Sequence, residues 1–89
     1  MSYQFRITDE AVADLARLDR SVAQRILARI RWFADNFESV RHESLSGDLA
    51  GTFKLRVGDY RVLYTVDHGP RETVIRAIQH RSEVYRDRG

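Results

Sequence analysis

The chain has 89 residues, 43% apolar and 31% charged, with a formal net charge of +2 and no cysteine. That is enough for one domain spanning 1–89 and too little for two, and the composition is that of a folded chain. A disulfide scaffold and a thiolate metal site are excluded, and so slight a positive excess requires any polyanion partner to be met by a focused patch.

The opening "MSYQFRITDE" lacks the apolar stretch of a secretory signal, and no run reaches the roughly 18 apolar residues that cross a bilayer. We therefore expect a cytoplasmic protein without membrane contact. Within that opening, Tyr3, Phe5 and Ile7 alternate with Gln4 and Arg6, the period of a half-buried strand. Thr8, followed by Asp9 and Glu10, signals a helix start, with Val12, Leu15 and Leu18 as its apolar stripe. "DR" at 19 and 20 is a tight connection to a second, longer helix. There "SVAQ" at 21–24 matches a capping box, and Val22, Ile26, Ile30, Phe33 and Phe37 recur at spacings of three and four. Arg25, Arg29, Asp35 and Glu38 take its exposed face, while Trp32 reads as a partly buried aromatic beside the core stripe.

From Glu38 to Gly51 no period is sustained, so the segment reads as a loop with Leu45 and Leu49 pinned to the core. His42 and His68 fall in loops and receive no role. "TFKLRV", a Gly58-Asp59 turn, "YRVLYTV", a second turn and "TVIRAIQ" then form a three-strand meander. The predicted fold class is α+β in the order βααβββ, with both helices on one face of a mostly antiparallel four-stranded sheet.

Alternation in "TFKLRV" sets Phe53, Leu55 and Val57 on one face and Lys54 and Arg56 on the other. Across the turn Arg61 comes near Arg56, so three cations line the uncovered face. Their mutual repulsion would be relieved by an anionic ligand, which points to phosphate. The plainer reading is that exposed strand positions carry Lys or Arg to keep sheets from pairing. Downstream, "HRSEVYR" at 80–86 supplies an imidazole and a phenol, both able to transfer protons. Equally, such a histidine serves as a hydrogen-bonded surface residue, and such a tyrosine as a packing anchor.

The order βααβββ, the block "LSGDLAGTFKLRVGDYRVLYTV" and the terminal "HRSEVYR" together resemble the RelE/ParE superfamily of bacterial type II toxins, in particular its RelE branch. The resemblance implies a cytoplasmic toxin that acts as a ribonuclease on messenger RNA, at the ribosomal A site. It also implies inactivation by a cognate antitoxin whose extended segment wraps it, with DNA met only indirectly through that antitoxin. The family's strand lysine falls on Lys54, its following arginine on Arg56, the arginine of the G-x-Y-R turn on Arg61, that of R-S-E-V-Y on Arg81, and its functional tyrosine on Tyr85. Thr52 and Gln79 stand where some active members carry basic residues.

The implied chemistry needs no metal or other cofactor: the ribose 2′-OH attacks the adjacent phosphate and leaves a 2′,3′-cyclic phosphate. On that reading Arg61 and Arg56, with Arg81, hold the phosphate, Tyr85 or Lys54 is the base and His80 a possible acid. A phenol titrating at about 10 must be lowered by clustered cations to serve as a base. Two other readings of the same fold are a ParE-like toxin that poisons gyrase, and a catalytically weak module that only binds its antitoxin.

Overall fold

The computed structural model describes residues 4–45 and 51–82. Tyr3, Leu49, Glu83, Tyr85 and Arg86 lie outside them. In chain order the elements are β1 (Gln4–Ile7), α1 (Asp9–Ala16), α2 (Arg20–Asp35), β2 (Glu43–Ser44), β3 (Phe53–Val57), β4 (Tyr60–Asp67) and β5 (Glu72–His80). The predicted α+β architecture stands, with one strand more than expected. All five strands form one sheet in the order β1-β5-β4-β3-β2. β1 runs parallel to β5 and the other pairs are antiparallel.

Thr8 starts α1 as its sequence position suggests: its side chain accepts a hydrogen bond from the Ala11 amide at 3.2 Å. The same hydroxyl donates to the Arg76 carbonyl at 3.2 Å, tying the helix start to β5. The buried stripe of α1 is not the predicted one, because Ala11 is fully buried whereas Val12 is 52% exposed. Ala11, Leu15 and Leu18 follow at spacings of four and three, and Val12 is rotated about 100° away from that line. α2 likewise begins ahead of the predicted box: Asp19 occupies the cap position, without a side-chain hydrogen bond, and Ser21 lies inside the helix. From there Ile26, Ile30, Phe33 and Phe37 are buried as predicted, packed on Val62, Tyr64, Ile75 and Ile78 of the sheet.

Two details of β5 position everything that follows. β1 ends opposite Ile75, and past that point the Ile78 amide donates to the Asp14 carboxylate of α1 at 2.9 Å. Between Leu63 and Tyr64 the β4–β5 register slips, so that Leu63 pairs with Ala77, Tyr64 with Ile75, and Arg76 is left unopposed. Such a bulge reverses which face the following residues use. Among the described residues no helix is long and apolar enough to cross a membrane.

Candidate active site

β3 and β4 are joined by Gly58 and Asp59, and Gly58 adopts a positive φ of 59°. A glycine in that conformation at the first of two turn positions is the tight hairpin that matches strand twist. The hairpin puts Arg56 directly opposite Arg61, and Lys54 opposite Leu63. Lys54, Arg56 and Arg61 thus share the sheet face turned away from the helices, as predicted, since Phe53, Leu55 and Val57 take the other. Gln79 pairs with Arg61 on its far side, and the Arg81 amide donates to the Asp59 carbonyl at 2.8 Å, holding Arg81 at the same hairpin end.

The three cations of this face differ in setting. Arg61 forms its floor: it is only 7% exposed, and its guanidinium donates one hydrogen bond, to the Tyr60 carbonyl at 3.2 Å. Among the described residues no carboxylate pairs with it. A buried charge without a counter-ion is costly, and an anion placed against it removes that cost. Arg56 forms the rim, with its side chain 58% exposed and 3.8 Å from Glu43. An ion pair so open to solvent is weak, so Arg56 remains available to a ligand. Lys54 is half-buried, two residues along β3 from Arg56, and pairs in register with Glu43 across the β2–β3 ladder. Sequence reasoning passed over Glu43 because its two-residue strand has no period to read.

His80 is not brought to this face. It pairs with Tyr60 in register, and its ring stands edge-on to the Tyr60 ring at 5.3 Å, on the side that Val57 also occupies. Its Nδ1 accepts from the Ser82 amide at 3.3 Å, with the Ser82 hydroxyl at 3.0 Å. Tyr85 lies outside the described residues, so its predicted place beside the cations has no counterpart here.

His42, to which the sequence assigned nothing, sits in the aromatic core. Its ring centroid is 4.2 Å from that of Phe37 and 5.4 Å from that of Phe33. Nε2 is 2.9 Å from the Phe37 carbonyl and Nδ1 2.7 Å from the Tyr64 hydroxyl. A carbonyl can only accept, so Nε2 carries a proton, and in the Nε2–H tautomer Nδ1 accepts from the Tyr64 O–H. Burial pushes the Tyr64 phenol well above its ordinary range, and Glu43 adds in the same direction. The folded state therefore favours the neutral phenol, and this contribution to stability is complete below about pH 10 and is lost as pH rises toward the folded-state value. Urea denaturation across that alkaline range should show wild type losing more stability than Tyr64→Phe. Equal losses in the two proteins would refute the assignment.

Residues 5–85 match the family described as the ParE toxin of the type II toxin-antitoxin system, parDE. Among characterised proteins, Toxin RelG of Mycobacterium tuberculosis is 38% identical over 92 aligned positions, covering 97% of this chain and 99% of the relative. Toxin RelE of the same organism is 34% identical over 84 positions, covering 94% of this chain and 87% of the relative. Among solved structures, the toxin-antitoxin complex RelBE2 from Mycobacterium tuberculosis contains a chain that superposes with a TM-score of 0.71. It is 39% identical, and the match covers 91% of this chain and all of that one.

Proposed function

The chain belongs to the RelE/ParE superfamily of type II toxin-antitoxin toxins, and from that premise we propose that it is an endoribonuclease that cuts messenger RNA, at the ribosomal A site, to halt translation. One observation carries the reading: a buried Arg61, without a paired carboxylate among the described residues, set opposite Arg56 on the face that also holds Lys54.

In the proposed reaction a 2′-oxygen attacks the neighbouring phosphorus, giving up its proton to a base. The phosphorus–O5′ bond breaks as that oxygen takes a proton, which leaves a 2′,3′-cyclic phosphate and a 5′-hydroxyl. Negative charge builds on the non-bridging oxygens midway, and donors fixed in advance at that position lower the barrier most. Arg61, poorly exposed and already oriented, is the principal donor. Arg56 adds a fork from the rim, and Arg81 a further phosphate contact from the hairpin end. Lys54 lies on the same face and is assigned proton transfer together with Tyr85. His80, turned toward Tyr60, is not placed at the phosphate. The 2′-hydroxyl requirement makes the reaction specific for RNA.

The RelBE2 complex pairs a toxin with its antitoxin, and we propose that this chain too is held by a cognate antitoxin, through an extended segment. A second reading is favoured by the family match itself, whose description is that of a ParE toxin: the cations would then hold a protein, and gyrase would be the target. Expression of the chain in a bacterial host, followed by primer extension on abundant transcripts, separates the two. The ribonuclease reading predicts new cDNA ends inside open reading frames and intact DNA, whereas broken DNA with intact transcripts would establish the other.

A further inference from the structure

The second cationic surface lies across the edge of β3 from the first. Arg25, Arg29 and Trp32 project from one side of α2 and, with Arg56 and Gly58, line an open groove of about 540 Å³ between that helix and the end of β3. Trp32 is 43% exposed, not the partly buried core neighbour expected from its sequence position. It precedes Phe33 by one residue, which rotates it about 100° off the buried stripe. The Arg29 guanidinium stands over its indole at 4.4 Å from the ring centroid. A Cβ on Gly58 would come within 3.8 Å of an Arg25 terminal nitrogen, so the guanidinium lies against the hairpin turn. Among the described residues no acid lines the groove, and neither Arg25 nor Arg29 has an ion-pair partner.

β2 covers only Phe53 and Lys54 of β3, so among the described residues no strand separates Arg56 from the groove. Arg56 belongs to both surfaces, opposite Arg61 on one and lining the groove on the other. A strand of phosphates leaving Arg61 meets Arg56, which shares the groove with Arg25 and Arg29. The groove adds what a purely ionic surface lacks, an accessible indole already stacked on a guanidinium, the arrangement on which unpaired bases pack. We propose that it is a second RNA-binding subsite, which takes the single strand running off the Arg61 face, stacks a base on Trp32 and holds phosphates with Arg25 and Arg29. This rests on the ribonuclease reading for its substrate.

Trp32 is the chain's only tryptophan, so intrinsic fluorescence reports on the groove alone. The full-length protein is titrated with a short 2′-O-methyl oligoadenylate, which cannot be cut by 2′-hydroxyl attack. Expected are quenching with a midpoint that climbs with salt, and no response to polyglutamate of equal charge. Anisotropy of the labelled oligonucleotide should show Arg25→Ala and Arg29→Ala binding about tenfold more weakly, the loss of one contact of this class. Arg29→Lys should recover only part of that loss, since the stacked planar fork is absent. Absence of quenching overturns the proposal, and equal quenching by polyglutamate overturns it in favour of an acidic protein segment. The Arg61→Ala protein separates the two readings, because at saturating oligonucleotide it should still quench while its cleavage falls about 100- to 1,000-fold. Quenching by a wild-type protein that cuts no RNA would sink the ribonuclease and keep the subsite; cutting without quenching would do the reverse.

Discussion

Replacing Arg61 with alanine is expected to lower RNA cleavage by about 100- to 1,000-fold, the usual loss when one preorganised donor to a developing oxyanion is removed. The fold should survive. Among the described residues the guanidinium's one hydrogen bond goes to the carbonyl of the preceding residue and no carboxylate is stranded by its removal, so the large penalty for orphaning a buried partner does not arise. Arg61→Lys should stay severely impaired, because an ammonium supplies a point charge where a planar fork holds two phosphate oxygens. Cleavage rates measured with saturating protein, alongside thermal melts of each variant, check both halves. An alanine variant that cuts at the wild-type rate would remove Arg61 from the chemistry, and one that fails to fold would recast it as a structural residue.

The second large effect falls on stability. Phe33 is 2% exposed and meets the rings of Phe37 at 5.5 Å, His42 at 5.4 Å and Tyr64 at 4.9 Å, joining α2, the segment after it and β4. Phe33→Ala should cost about 3–5 kcal/mol, a large share of the roughly 5–15 kcal/mol that holds a typical domain folded. The three neighbouring rings cannot all close on the cavity, since each is fixed by another contact, the Tyr64–His42 hydrogen bond among them. Phe33→Leu, which keeps most of the volume, should cost markedly less. Urea midpoints for the pair decide the matter. A loss below about 1 kcal/mol for alanine would mean that the ring cluster is not where stability resides.

These two residues also mark what could be read from sequence. Strict alternation in "FKLRV" and "YRVLY" gave the faces of Lys54, Arg56 and Arg61, because the short Gly58-Asp59 turn fixes the register of both strands. The spacing of Ile26, Ile30 and Phe33 likewise gave the buried side of α2. β2 was missed since two residues become a strand only through the partner beside them. The place of His80 could not be counted from sequence: the unopposed Arg76 adds one step to the alternation that starts at Ile75 and sets His80 on the Tyr60 side. His42 had no signal at all. Nothing local marks a loop histidine as the acceptor of a tyrosine twenty-two positions away, and only tertiary packing brings the two together. The Arg25, Arg29 and Trp32 groove was half visible, as two arginines one turn apart; the β3 edge that completes it is a product of the fold.

The most direct measurement of the central claim is the chemistry of the RNA ends left by purified protein in a translation reaction. A 2′,3′-cyclic phosphate upstream and a 5′-hydroxyl downstream, formed about 100- to 1,000-fold more slowly by Arg61→Ala, are the predicted result. Ends bearing a 3′-hydroxyl and a 5′-phosphate, or transcripts that remain whole while translation stops, would contradict it.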